Sequence, residues 1–136
     1  MKLTRIASCL AAALLFSGCV DSRILSATLV TRTVPAGSTQ QIGYFAELNP
    51  DCSFGGYAEV RALSSPVHGT FAIRQGEGYT NYPASNQRYD CNKQKSRMIQ
   101  VMYTPAAGYV GNDEFVLHAI YPNGATRTVR LVITIE

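Results

Sequence analysis

The chain has 136 residues, enough for one domain, and its 12 basic and 9 acidic side chains give a formal net charge of +3. Lys2 and Arg5 precede an apolar run at residues 6–16; without these two, ten basic and nine acidic side chains remain, a net charge of +1. A net charge this small gives no support for a nucleic-acid partner.

The first predicted element is a secretory signal peptide at residues 1–18. A basic start is followed by the apolar run and then by the small residues Ser17 and Gly18, which is the usual order of such a signal. The apolar run is too short to span a bilayer as a mature helix. We therefore expect an exported protein of a bacterium.

The word FSGC, residues 16–19, resembles the lipobox of bacterial lipoproteins. In that family the cysteine is diacylated and becomes the new N-terminus, although Leu is usual where Phe16 stands here. Ordinary cleavage nearby would instead leave Cys19 as a free thiol, which is unfavourable in an oxidising compartment. The resemblance implies a lipid anchor on Cys19. Because Val20, and not Asp, follows the cysteine, it further implies the outer membrane.

Beyond the anchor we expect a tether at residues 19–26 and one domain at residues 27–136. The domain shows apolar residues at every second position and no helical stripe, which is typical of strands. Asn123 and Gly124 between the last two apolar runs predict a tight hairpin. Strands without crossover helices favour a seven-stranded antiparallel immunoglobulin-like sandwich. The predicted strands are 28–34, 41–45, 58–63, 70–74, 99–103, 115–121 and 128–135.

The chain has four cysteines. Cys9 lies in the predicted signal peptide and Cys19 is the predicted lipid site, so two cysteines remain in the mature chain. Cys52 and Cys91 form a matched pair in an oxidising compartment, which predicts one disulfide. It would close a loop of about forty residues and stabilise the fold by roughly 4 kcal/mol in the chain-entropy model.

Three motifs stand out in the domain: SSPVHGTFAI at residues 64–73, YTP at residues 103–105 and GYVGNDEF at residues 108–115. Together they resemble the bacterial Ig-like and cadherin-like domains that occur in tandem in large adhesins. These modules repeat a Pro-x-His-Gly-Thr turn, a Tyr-Thr-Pro segment, a Gly-Phe-x-Gly-x-Asp-x-Phe word, a Gly-containing hairpin and a final Val/Ile-rich strand. This chain differs in having one copy and in its cysteine pair. The resemblance covers about half of the mature chain, at Pro66, His68, Gly69, Thr70, Tyr103, Thr104, Pro105, Gly108, Tyr109, Gly111, Asp113 and Phe115.

The candidates for a catalytic or metal-binding site are the acidic motif GNDE at residues 111–114 and the two histidines, His68 and His118. Calcium takes six or more oxygens, and the carboxylate-rich motifs of calcium-binding cadherin repeats are absent. We therefore expect Asp113 to accept backbone N–H bonds at a corner before a strand. His118 is expected on the outer, solvent face of its strand. We predict no metal, no cofactor and no catalysis, and assign structural turn roles to Pro66, His68, Gly69, Gly108, Gly111 and Asp113.

A basic segment, RYDCNKQKSR at residues 88–97, is the best candidate for binding. Basic residues and tyrosines on a loop can contact an anionic envelope polymer, a lipid head group or a protein. Binding residues concentrate on loops held by rigid scaffolds. The plainer alternative is a solvated loop that the disulfide holds in place. The candidate binding residues are Arg88, Tyr89, Lys93, Lys95 and Arg97.

The predicted function is a non-catalytic envelope lipoprotein that acts as an Ig-like binding, adhesion or structural module. Its expected partners are the membrane, through the lipid anchor, and a protein or envelope polymer, with no nucleic acid. The alternative is a small periplasmic inhibitor of a host hydrolase such as a lysozyme, because several such inhibitors are compact, disulfide-bonded lipoproteins. A metal-dependent enzyme is a third hypothesis.

Overall fold

The chain is mostly β-structure. The structure is a computed structural model that describes residues 21–136, so the predicted signal peptide at residues 1–18 and the predicted lipid site at Cys19 lie outside the described residues. The elements in chain order are α1 (Ser22–Leu25), β1 (Thr28–Val34), β2 (Gln40–Phe45), β3 (Glu47–Leu48), β4 (Phe54–Gly56), β5 (Glu59–Ser64), β6 (Gly69–Tyr79), a 3-10 helix (Tyr89–Lys93), β7 (Lys95–Pro105), β8 (Gly111–Ile120) and β9 (Thr126–Ile135).

The strands form two main sheets and one small ribbon. A four-stranded sheet has the order β1-β9-β8-β5, and a three-stranded sheet has the order β2-β7-β6. The strands β3 and β4 pair only with each other. The predicted hairpin at Asn123-Gly124 joins β8 to β9, and Gly124 has a φ of +84°, a conformation that glycine adopts without steric cost.

Two features of the expected fold need correction. The described residues contain nine strands, two more than predicted, because β3 and β4 have only two and three residues and too little length to show alternation. The four-stranded sheet is also mixed, since β1 runs parallel to β9, with Thr28 opposite Val129 and Val34 opposite Ile135. Alternation reports which face of a strand is buried and carries no information on the direction of its partner.

One hydrophobic core lies between the two main sheets. The rings of Tyr103 and Phe115 come from different sheets, are fully buried, and have their centroids 6.1 Å apart. Phe71 adds a third ring, 5.2 Å from that of Phe115. Full burial of one such side chain contributes about 1.5–3 kcal/mol. The other buried members are Val34, Ile42, Phe45, Ala58, Ile99, Val101, Leu117, Ala119, Val129, Leu131, Ile133 and Ile135.

The outer face of the four-stranded sheet is partly covered. His118 is only 7% exposed, so the expectation of a surface histidine is wrong. Its Nδ1 lies 2.8 Å from the hydroxyl of Thr128 on β9, and α1 lies beside the same strand. The segment expected to be a tether therefore contributes one helical turn next to the sheet. None of the helices in residues 21–136 is long and apolar enough to cross a membrane.

Candidate binding sites

Asp113 is the polar centre of the turn region that carries the adhesin-like words. It is 5% exposed, and its two carboxylate oxygens accept four hydrogen bonds. Oδ1 accepts from the backbone N–H groups of Val67 and Glu114, both at 2.9 Å. Oδ2 accepts from the N–H of His68 at 2.9 Å and from the hydroxyl of Tyr103 at 2.7 Å. The carboxylate thus links the turn after β5 and the start of β8 to β7, the middle strand of the three-stranded sheet.

These contacts set the protonation of the pair. Burial raises the pKa of Asp113, but hydrogen bonds from Tyr103 and from the three backbone amides outweigh burial, so the pKa lies below its usual value. Burial, followed by the bond to Asp113, raises the pKa of Tyr103. Asp113 is therefore a charged acceptor and Tyr103 a neutral donor at neutral pH.

The other predicted turn residues surround this centre. The ring of His68 stacks on that of Tyr109 with the centroids 4.0 Å apart. Gly108 and Gly111 have φ values of +73° and +140°, where a side chain would be strained. At Gly69 an added Cβ would lie 2.5 Å from the Tyr103 hydroxyl. Pro66 is half-buried in the turn after β5. Within residues 21–136 no three His, Cys, Asp or Glu side chains are grouped closely enough to hold a metal ion.

The predicted disulfide between Cys52 and Cys91 is confirmed. The two Cα atoms are 5.3 Å apart, and Cys91 is completely buried in the 3-10 helix. Asn92, the next residue, further fixes the loop: its Oδ1 accepts from the Thr80 hydroxyl and from the Tyr82 N–H, both at 2.9 Å. The segment between β6 and β7 is therefore ordered by covalent and polar contacts.

The candidate binding residues on this segment differ in how accessible they are. Arg88 is half-buried and its Nε donates to the carbonyl of Leu48 at 2.5 Å, so this side chain holds the loop against β3. Lys93 donates to the carboxylate of Asp90 at 2.6 Å on the surface, and this bond raises the pKa of Lys93. An exposed pair of this kind adds little to stability.

The exposed surface formed by this loop and by the flanking ends of β6 and β7 is aromatic and basic. Tyr79 is 58% exposed and is the cross-strand partner of Lys95. Arg97 lies with its guanidinium 4.4 Å from the ring centroid of Phe54, a favourable cation–π distance. We define the loop surface as Tyr79, Tyr89, Lys93, Lys95 and Arg97.

A second candidate site lies at the open edge between the two sheets, where β1 and β2 follow each other in the chain but belong to different sheets. Along β1, the inner-facing row reads Val30, Arg32, Val34, and along β9 it begins with Arg127 before Val129. Each arginine thus occupies an inner-row position on a half-open edge. Sequence reasoning missed both residues, although a charged residue within an alternating apolar row was the available signal.

The chain was compared with protein-family models, curated proteins and solved structures. No protein-family model matches the chain, and no curated protein matches it either. Among solved structures, the solution structure of amebosin is similar over 81% of this chain and 98% of its own, with 14% sequence identity and a TM-score of 0.31. A likeness at that level carries no argument about fold family or function.

Proposed function

We propose that the protein is a non-catalytic binding module of the bacterial cell envelope, built on an immunoglobulin-like sandwich of the adhesin-repeat type. Two sheets around one core support the sandwich. The adhesin-like words support the family, and their central carboxylate, Asp113, makes turn contacts that suit a fold element better than a reactive group. Export by residues 1–18 and a lipid on Cys19 complete the proposal.

The observation that carries the binding role is the loop surface. Tyr79 and Tyr89 expose 58% and 47% of their area, yet they belong to a segment held by the disulfide and by Asn92. Tyrosine supplies large contact area at low entropic cost, and an ordered loop loses little further freedom on binding. Lys95 adds positive charge beside Tyr79, and Arg97 adds a second charge two residues further along β7. This charge suits a partner with an acidic surface.

Crosslinking and pull-down from intact cells test this role. A double variant, Tyr89→Ala with Lys95→Ala, should lose the crosslinked partner that the unchanged protein retains. Arg130→Ala is the matched control, because it also removes an exposed positive charge but lies on β9, outside the loop surface. Equal recovery of the same partner by all three proteins would refute the role of the loop surface. If the partner is a hydrolase that the protein inhibits, the protein belongs to the alternative class of inhibitors.

The lipid anchor has an independent test. Intact-mass analysis of the membrane-extracted protein should show a chain that begins at Cys19 and carries acyl groups, because the lipobox-like word directs acylation of that residue. In Cys19→Ala the acyl mass should disappear and the protein should leave the outer-membrane fraction. An unacylated, soluble chain in the wild type would contradict the anchor and leave the binding role to be judged by the crosslinking alone.

A further inference from the structure

The open edge between β1 and β2 contains a groove that reaches the core. A cavity of about 270 Å³ is walled by Arg32, Tyr44, Asn81 and Arg127, and apolar side chains of the core, including Phe45 and Leu131, line its floor. A second cavity of about 260 Å³ adjoins it and shares Tyr44, Asn81 and Arg127. Each cavity approaches the size of pockets that hold small organic ligands.

Tyrosine rings line much of the groove. Tyr82 and Tyr121 wall the second cavity, and Tyr44 lies where the two cavities meet. The Tyr44 hydroxyl accepts a hydrogen bond from the backbone N–H of Asn81 at 2.8 Å, which fixes the ring and leaves the hydroxyl proton free to be donated. Burial raises the pKa of Tyr121, and the nearby guanidinium of Arg127 opposes that rise. The groove therefore combines the flat apolar faces of three tyrosine rings with one fixed hydroxyl group, that of Tyr44.

The two arginines give the groove its charge. The four ion pairs within residues 21–136 use other cations, and neither Arg32 nor Arg127 lies in one of them. Arg32 is held in place, with Nε donating to the Ile42 carbonyl at 2.9 Å and Nη1 to the Thr31 carbonyl at 2.8 Å. Within residues 21–136, the Nη2 group of Arg32 donates no hydrogen bond. No acidic side chain is among the residues that line the two cavities. Glu47 accepts a hydrogen bond from Asn123.

The two arginines reach the groove from distant strand positions. Arg32 lies opposite Ile133 of β9, which is six residues beyond Arg127 on the same strand. At about 3.3 Å per residue, their backbones are roughly 20 Å apart along the groove. Both side chains nevertheless line the same cavity, so two cations face one bound molecule. Such a pair matches two anionic groups on one molecule better than a single small acid. Guanidinium groups bind carboxylates in a bidentate manner.

We propose that this groove binds a short segment of a carboxylate-bearing oligosaccharide. Carboxylates of the chain contact Arg32 and Arg127, sugar rings lie against the tyrosine faces, and ring hydroxyls bond to Asn81 and Tyr44. None of the residues of the loop surface lines the groove, so this site is separate from the one proposed above.

Titration calorimetry with purified protein tests the proposal, with oligogalacturonates of increasing length as probes. We expect affinity to rise with length until the chain spans the groove. We also expect no binding of a neutral galactose oligomer of equal length, and none of a poly-glutamate peptide of equal charge. Amide signals of Tyr44 and Asn81 should shift in NMR spectra during the titration.

Substitutions locate the site. Arg127→Gln should weaken the oligogalacturonate by about tenfold or more, because a charge-assisted hydrogen bond is lost. Arg130→Gln, on the same strand but outside the groove, should bind as the wild type does, and so should Lys95→Ala of the loop surface. Matching melting temperatures would show that each variant is folded.

Four results would overturn the proposal: no oligogalacturonate binds at millimolar concentration, the neutral oligomer binds equally well, poly-glutamate binds equally well, or Arg127→Gln leaves the affinity unchanged. Loss of the crosslinked partner in the loop-surface variant, with groove binding intact, would show that the two sites act independently.

Discussion

Replacing Asp113 by Asn removes the charge of the turn centre while keeping its shape. The amide oxygen can still accept from Val67 and Glu114, but the amide nitrogen now faces the N–H of His68, and two donors cannot bond. Tyr103 can rotate its hydroxyl to accept from the new amide, so that contact survives as a neutral one. One unsatisfied donor costs about 1–3 kcal/mol, and we expect a total loss near 2 kcal/mol.

A loss of about 2 kcal/mol is large against a typical stability of about 5–15 kcal/mol. It should lower the melting temperature by roughly 6–10 °C. Tyr103→Phe removes only the hydroxyl. The loss of stability in the double variant should be smaller than the sum of the two single losses, because both substitutions affect the same hydrogen bond. Urea denaturation of the four proteins measures the free energy of unfolding and completes this cycle.

The pH dependence gives a second readout for the same substitution. The native pKa of Asp113 lies below its usual value, whereas in the unfolded chain the carboxyl has its ordinary pKa of about 3.9. The charged form therefore contributes its full stability above that value and loses it as the pH falls through the native pKa. The stability advantage of wild type over Asp113→Asn should be largest at pH 7 and shrink below about pH 4. An advantage that is absent at pH 7, or that stays constant down to pH 2, would refute the reasoning.

Two further predictions concern the disulfide and the glycine beside Tyr103. Replacing Cys52 and Cys91 by Ser should lower the free energy of unfolding by about 4 kcal/mol, because the bridge closes a loop with a sequence separation of 39; chemical denaturation measures it, and an unchanged stability would contradict the estimate. Gly69→Ala should cost about 1–3 kcal/mol in the same assay, since its Cβ would lie 2.5 Å from the Tyr103 hydroxyl. Gly43→Ala is the matched control with nothing within 4 Å, and equal losses in the two variants would argue against the steric explanation.

The sequence alone was enough to predict the elements that depend on local pattern. The alternating run of β9 and the Asn123-Gly124 hairpin depend on nearest neighbours along the chain, so period and turn chemistry are enough to predict them. The pairing of Cys52 with Cys91 follows once the other two cysteines are assigned to the leader and the anchor.

Features that depend on distant contacts were not predictable. The strand β6 continues to Tyr79, past Gly76 and Gly78, because each of its residues pairs with β7, and glycines hide the alternation there. Gly76 leaves room for the Gln100 side chain, whose Oε1 would lie 2.5 Å from an added Cβ. The groove was missed for a related reason: only the meeting of β1 and β2 at an open edge gives Arg32 and Arg127 a shared space.

The parallel pairing of β1 with β9 also determines how the domain responds to force. Seven consecutive residue pairs join the two strands, from Thr28 opposite Val129 to Val34 opposite Ile135. A pull applied at Thr28 and at Glu136 acts on opposite ends of this pair and along its length. The hydrogen bonds are then loaded together in shear, whereas an antiparallel pair pulled from adjacent ends would open one bond at a time. The arrangement makes this strand pair the mechanical clamp of the domain.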